Sequence, residues 1–405
     1  MQKVKNYYHL LVAILANAMF FYPSRKLIVI GVTGTDGKTT TTSLIYHILN
    51  SNGFKVSMIS SVGAIIGEKT YDVGFHVTNP SSLPLQRFIK KAASLGTQKE
   101  PNYLVLETTS HGLDQYRTFG VKFAIGVITN ITHEHLDYHK TYEKYLQAKA
   151  KLPYSSGVAV LNAEDLSYPI LLEYLQKRHY KGSIVTYGLK KGDINSLNFT
   201  FKSNLIGDFN IYNSLAAICV CKTLNLSDEQ IKKGLATFSP PKGREEVIYD
   251  KDFSVMIDFA HTSNSILVLL QTLRPKVKGR IIHVFGSAGE RDRQKRKVMG
   301  ENSSKFADII VLTAEDPRSE DVNRIIEDIA SGIPKNSKAQ VIKLPNREEA
   351  IKEAILMAKK GDMVVLTGKA HEKSMNLGHG EEPWDEFAKA YNVLKIKDPK
   401  FTPKQ

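Results

Sequence analysis

The sequence predicts an α/β protein built on mainly parallel sheet, in two successive units. Three observations carry that prediction. Short apolar, β-branched runs alternate with stretches of helical periodicity along nearly the whole chain, the pattern of strands joined by crossover helices. A stretch rich in Pro, Gly and charge, SPPKGREE (239–246), interrupts the alternation, which then resumes. The chain of 405 residues is long enough for two or three domains.

The first element is the apolar stretch YYHLLVAILANAMFFY (7–22), flanked by Lys3, Lys5, Arg25 and Lys26. It is shorter than the roughly 20 residues that span a bilayer, and no small-residue cleavage site is clear. It reads as a helix packed on the following domain; a helix lying in a membrane interface is the alternative. Strands are predicted next at 27–32, 56–60, 103–107, 125–130, 157–161 and 183–187, and helices at 39–51, 83–95, 141–151, 166–178 and 210–224. Beyond the break, strands at 253–258, 280–285, 308–313, 340–343 and 362–367 alternate with helices at 263–272, 292–306, 321–330 and 347–359. The expected organisation is therefore a helix over 1–26, a first domain over 27–240 and a second over 241–405, each domain of ordinary size.

Apolar residues make up 42% and charged residues 24%, an ordinary composition for a soluble globular protein. The two cysteines, Cys219 and Cys221, are too close for an easy bridge and form no metal-type pair of pairs, which fits a reducing cytoplasm. The net charge is +14, but the lysines are scattered, with no aromatic–basic platform or helix-turn-helix signature. Nucleic acid is not expected; the field suits polyanionic small molecules such as nucleotides. A monomer is the default expectation.

Three stretches carry chemistry. IGVTGTDGKTTTT (30–42) lies between a strand and a helix, where free backbone N–H groups and the helix dipole favour phosphate. Gly34 and Gly37 let the backbone approach closely; Lys38 can reach β- and γ-phosphates, and Thr39 can ligate Mg²⁺. The usual phosphate loop has a glycine where this chain has Val32, which argues against a generic GTPase. NYLVLETTSHGLD (102–114) ends a strand on Glu107, placed as a carboxylate for a metal beside such a loop. TNITHEHLDYHKTYEKYLQAKAKL (129–152) crowds three histidines and two acids into 133–139, after a strand end and before a helix, where α/β proteins bind ligands. At least one of these histidines is expected to be a metal ligand. Nothing local shows a role for Lys149.

GVTGTDGKTTTT, LETTSHGLD, ITNITHEHLDYH, YLQAKAKL, GDFNIYNSLAA, GREE, DFAHTSNS, VFGSAGERDRQKRKVMG, TAEDPRSED and TGKAHE occur in the order seen in the Mur ligases, from about residue 27 to 390. Within that family the chain most resembles the UDP-N-acetylmuramoyl-tripeptide synthetases (MurE), whose loop has this same glycine spacing. The resemblance implies a central ATPase domain with a P-loop, followed by a Rossmann-like C-terminal α/β domain. It also implies ATP-dependent amide formation: a carboxylate takes the γ-phosphoryl group, and an amine then displaces phosphate from the acyl phosphate. By the family pattern, Gly34, Thr35, Asp36, Gly37, Lys38, Thr39 and Thr40 would cradle ATP. Thr39 and Glu107 would hold one Mg²⁺, and His135 a second. Lys149 matches the family's carbamylated lysine, an anionic metal ligand. Asn210 and Asn213 resemble adenine-side contacts, and Arg244, Asp258 and His261 the ATP-side residues of the domain junction. Lys38, Glu107, His135, Lys149 and His261 would be the catalytic set.

For the substrates, the resemblance implies contacts from Thr78, Asn79, Ser110 and His111, and from Arg291, Asp316, Arg318, Gly368 and Glu372 to the incoming amino acid. Members using meso-diaminopimelate carry Asp-Asn-Pro-Arg where this chain has Glu315-Asp316-Pro317-Arg318. Arg318 can fork onto a carboxylate, Asp316 adds a charge in place of an amide, and Glu372 suits a distal ammonium. Read without the resemblance, Asp316-Pro317 is a helix start capped within 319–321. Only 26 residues precede the first strand, so the family's N-terminal module that grips the UDP group is expected to be missing. The apolar 7–22 segment would then bring the enzyme to a lipid-linked or membrane-associated acceptor. Another peptide-like acceptor, as in the folylpolyglutamate or cyanophycin relatives, and a non-catalytic ATP-binding subunit of a cell-wall complex are the alternatives.

Overall fold

The structure, a computed structural model, describes residues 2–74, 80–96 and 101–403. It divides into two compact units, Met1–Ser239 and Pro240–Gln405.

The first unit runs α1 (Gln2–Met19), β1 (Ile28–Thr33), α2 (Lys38–Ser51), β2 (Val56–Ser60), β3 (Gly63–Ile66), β4 (Lys69–Tyr71), α3 (Ser82–Ala93), β5 (Tyr103–Glu107) and α4 (Ser110–Asp114). It continues with β6 (Phe123–Ile128), α5 (Leu136–His139), α6 (Tyr142–Tyr154), β7 (Ser156–Asn162), α7 (Tyr168–Lys177), β8 (Ser183–Gly188), β9 (Ile194–Asn195), α8 (Asp208–Thr223) and α9 (Asp228–Thr237). Its described strands form a nine-stranded sheet in the order β4-β3-β2-β5-β1-β6-β7-β8-β9. Every pairing from β2 to β9 is parallel; only β3 and β4 run antiparallel at one edge.

Helices cover both faces, which explains why the strands read as unbroken apolar runs rather than as alternation. Along β1, Ile30 and Val32 point into a core built with Leu44, Ile45 and Ile48 of α2 and Leu215 and Ile218 of α8. Val29 points the other way, to Leu85, Ile89 and Leu152. Cys219 and Cys221 are free and buried in the first of these cores. Gly31 meets a packing demand rather than a ligand: a Cβ there would lie 2.6 Å from Leu152 Cδ1. No helix among the described residues is long and apolar enough to cross a membrane.

The second unit runs β10 (Glu246–Asp250), β11 (Ser254–Asp258), α10 (Ser263–Leu273), β12 (Ile281–Phe285), α11 (Gln294–Ser304), β13 (Ile309–Leu312) and α12 (Val322–Ala330). Then follow β14 (Gln340–Lys343), α13 (Arg347–Met357), β15 (Met363–Thr367), β16 (Ser374–Asn376), β17 (Glu381–Pro383) and α14 (Glu386–Lys397). Its six-stranded sheet has the order β10-β11-β15-β12-β13-β14, parallel except for the β10–β11 hairpin. Under it, Arg347 and Glu386 form a buried ion pair at 2.6 Å, and Arg347 also donates to the carbonyls of Ala314 and Thr367. That pair ties α13 and α14 to the ends of β13 and β15.

Candidate functional site

In the first unit the site forms where β1, β5 and β6 end side by side. The parallel register pairs Val32 with Glu107 and Thr33 with Ile128, so the segments that follow all leave the sheet at one place. The loop 34–37 wraps the start of α2. Gly37 sits at φ 77°, and a Cβ on it would lie 2.1 Å from Asn213 Oδ1; a Cβ on Gly34 would lie 1.7 Å from Thr129 Oγ1. Both positions therefore need glycine.

The loop is held from beneath by residues after β6. Asn130 Oδ1 accepts from the Asp36 N–H at 2.9 Å, and Thr129 Oγ1 donates to the Asp36 carbonyl at 2.6 Å. Thr35 Oγ1 meets the Tyr145 hydroxyl at 3.0 Å. Lys38 curls back, with Nζ on the Thr35 carbonyl at 2.7 Å. Thr39 Oγ1 donates to Glu107 Oε1 at 3.1 Å and lies 3.0 Å from Ser61 Oγ, while the Ser61 N–H donates to Glu107 Oε2 at 3.0 Å.

Thr40 is buried in the first turn of α2. Asn213 braces the loop through Thr41 Oγ1 at 3.3 Å and donates to Asn210 Oδ1 at 3.1 Å. Asn213 thus lies against the loop at Gly37, and Asn210 holds Asn213.

Lys149, on α6, has 2% of its surface exposed. Its Nζ donates to the Gly34 carbonyl at 2.5 Å and lies 4.7 Å over the Tyr145 ring. Burial, then the charge of Lys38, holds its ammonium well below the ordinary lysine range. His135, at φ 57° just before α5, has its ring 6.1 Å from the Tyr145 ring and 4.9 Å from that of His111. His111 also contacts Tyr138 at 4.3 Å and His139 at 5.5 Å. Burial, then His111, pushes His139 down to about 4. Ser110 begins α4 with its hydroxyl buried and, among the described residues, unbonded. Thr78 and Asn79 lie outside the described residues.

Among the described residues no three His, Cys, Asp or Glu side chains converge as a ready-made metal cage. Mg²⁺ does not require one: it keeps several waters and takes one or two carboxylates beside substrate phosphates. Glu107, 1% exposed and 3.1 Å from the Thr39 hydroxyl at the glycine loop, fits that demand.

In the second unit the candidate residues gather at the C-terminal ends of β11, β13 and β15. Asp258 accepts from the Glu245 N–H at 2.8 Å and the Ala260 N–H at 2.7 Å. The Arg244 guanidinium lies 4.5 Å over the Phe259 ring, whose neighbours are His261 at 4.6 Å and His371 at 4.7 Å. Lys369, fully buried, places Nζ 3.0 and 3.1 Å from the two Asp316 oxygens and 2.6 Å from Glu372. The charge that Asp316 introduces is thus neutralised within the chain, and the ammonium beside Glu372 is that of Lys369. Arg318 adopts φ 54°, and among the described residues its guanidinium has no ion-pair partner. Asp321, inside the 319–321 stretch where the sequence places a cap, caps α12 through the Asn323 N–H at 2.9 Å. Arg291 lies on the loop between β12 and α11.

Four residues escaped sequence reasoning. Asn130 and Tyr145 seat the loop, Lys369 balances Asp316, and Glu315 stands beside it. Burial pushes the Glu315 carboxyl up to about 7. Its Oε2 is unbonded among the described residues, and Gly368, at φ 102°, leaves space there that a Cβ would narrow to 3.0 Å. Asn130 and Tyr145 stand inside a stretch marked for its histidines and acids; no local signal marked them.

Two family models match the chain: the Mur ligase middle domain over residues 32–221 and the Mur ligase, glutamate ligase domain over 243–370. The UDP-N-acetylmuramoyl-L-alanyl-D-glutamate–2,6-diaminopimelate ligase of Aquifex aeolicus is 40% identical over 94% of this chain and 80% of its own. A ligase of the same name from Clostridium acetobutylicum is 37% identical over 92% and 79%. A solved structure of such a ligase is similar at a TM-score of 0.60 and 29% identity, covering 92% of this chain and 79% of that one. The folylpolyglutamate synthase of Mycobacterium tuberculosis shares the fold at a TM-score of 0.72 and 17% identity, over 98% and 95%.

Proposed function

This chain belongs to the Mur ligase family, and from that premise we propose that it joins a diamino acid to the carboxylate of a muramoyl-dipeptide-type acceptor, converting ATP to ADP and phosphate. The amine is meso-diaminopimelate in preference to lysine, as the names of its relatives suggest. Residues 27–240 bind ATP and residues 241–405 select the amino acid. The observation that carries this reading is the Thr39 hydroxyl on Glu107 at the mouth of the glycine loop.

A carboxylate is a poor electrophile, and phosphorylation gives it a leaving group. The N–H groups opening α2 orient the transferring phosphoryl group, and Lys38, released from the Thr35 carbonyl, meets its charge. Thr39 and Glu107 would hold one Mg²⁺, and His135 with a carbamate on Lys149 a second; when bound, these ions offset the charge on the phosphates. Burial opposes the charged form of Lys149, and the neutral amine is the form whose lone pair bonds to CO₂ with loss of a proton. Arg318 offers a planar fork to the amino acid's distal carboxylate. Once the acyl phosphate forms, the amine attacks its carbonyl carbon and phosphate departs. The enzyme works in the cytoplasm, at a membrane surface reached through residues 7–22.

Phosphate release tests this, with muramoyl dipeptides and other acceptors crossed against meso-diaminopimelate, lysine and other amines. Release that requires both acceptor and amine is expected, with oxygen-18 from the acceptor carboxylate appearing in the phosphate. ATP binding without amide formation from any pair would favour a non-catalytic subunit.

A further inference from the structure

We propose that the outward face of α1 docks on the surface of a bilayer carrying anionic headgroups. Docking of α1 rests on the membrane-surface reading of residues 7–22 and is independent of the ligase chemistry. The helix has two apolar sides. Ala13, Ala16 and Asn17 are buried, and Asn17 Nδ2 donates to the Phe119 carbonyl at 2.6 Å, so one side is fixed to the protein. The opposite side presents Val4, Tyr7, Tyr8, Leu11, Leu15 and Met19, each more than 60% exposed, at the spacing of one helical stripe. Phe21, 80% exposed, continues it past the helix end. A stripe this size is larger than the scattered apolar residues of an ordinary surface.

Charge selects the occupant. The first acidic residue in the chain is Asp36; before it stand Lys3, Lys5, Arg25 and Lys26. Arg25 lies over the Tyr22 ring at 4.5 Å, and Lys90 of α3 over the Phe20 ring at 5.5 Å, so cations border the end of the apolar stripe. Apolar side chains with tyrosines at the boundary and basic residues around them match an anionic lipid surface. No described helix is long and apolar enough to span the membrane, so α1 lies along the surface rather than across it.

Co-sedimentation of the full chain with vesicles tests the assignment. Binding is expected to phosphatidylcholine vesicles containing phosphatidylglycerol, and much less to phosphatidylcholine alone. The Leu11→Glu/Leu15→Glu variant should lose at least about tenfold in affinity. Replacing Lys5, Arg25 and Lys26 by Gln should cost about fivefold per charge. All these positions are exposed, and circular dichroism checks that each variant folds. Absence of vesicle binding, equal binding to both vesicle types, or binding unchanged by the glutamates would overturn the proposal. A lipid-free dimer that the glutamates dissolve would assign the face to a second copy and overturn it equally. Phosphate release without vesicles reads the ligase separately, so either idea can fail while the other stands.

Discussion

Lys149 donates to the carbonyl of Gly34, inside the phosphate loop, from a site with 2% exposure. Burial, then Lys38, opposes a charged ammonium there and shifts the balance toward the neutral, nucleophilic amine. Lys149→Ala is expected to lower phosphate release by about 10²–10³-fold, the scale of losing one preorganised contact to developing charge. Acetate or another short carboxylic acid should restore part of it by filling the place of the proposed carbamate, and Lys149→Arg should not respond. Wild-type turnover in Lys149→Ala, or indifference to added acid, would remove the role. At this scale the sequence showed positions but not surroundings. Gly34 and Gly37 were legible because the backbone there leaves no space for a side chain. Asn130 and Glu315 were not, because their meaning comes from burial against segments far away in the chain, such as Asp36 and Gly368.

At the level of elements, α1 reaches the histidine cluster. Asn6 Nδ2 donates to Asp114 Oδ2 at 3.0 Å, and the same carboxylate receives the Tyr138 hydroxyl and Lys151 Nζ, each at 3.0 Å. Burial opposes ionisation of Asp114, but these three partners hold its carboxyl below the usual range. One carboxylate therefore joins α1, α4, α5 and α6, and His135 stands immediately before α5. Asp114→Ala should cost about 1 kcal/mol of stability in urea unfolding, since the pair is partly exposed. It should also raise the Mg²⁺ concentration needed for half-maximal turnover several-fold, with near-native rate at saturation. An unaltered Mg²⁺ response in a folded variant would show that α5 is positioned without this carboxylate. Sequence periodicity located the strands and helices that bury a full face. It passed over β3 and β4, which are four and three residues long and joined by Gly67-Glu68. It also passed over α9, whose Gly234 looks like a breaker but lets α9 close on α2: a Cβ there would lie 2.9 Å from Ile48.

Across the whole molecule, each unit carries its own sheet and core, and the second buries titratable groups both in its candidate site and beneath it. His283, in the middle of β12, is fully buried between Ser303 Oγ at 2.8 Å and Thr367 Oγ1 at 2.9 Å and stacks on Phe285 at 4.4 Å. Burial, then the charge of Arg347, pushes it down to about 3, and burial with Arg244 does the same for His371. An unfolded histidine takes its proton near pH 6.5. Between there and about pH 3 the unfolded chain binds protons that the fold refuses, so stability falls as pH falls, by about 1.4 kcal/mol per pH unit for each such group. Glu315 works the other way between pH 7 and 4.5, because its folded carboxyl protonates first, at about 7. One histidine's effect is therefore offset in that window, while that of the other, and that of His139 in the first unit, remain. His283→Gln keeps a donor and an acceptor but cannot titrate. It should lower stability at pH 7.5 through poorer packing, yet show a shallower decline from pH 6 to 4.5, by about one proton equivalent. Urea unfolding across that range measures the slope. Parallel curves for the two proteins would mean that His283 carries its proton inside the fold, against the burial and the two hydroxyl partners that hold it neutral.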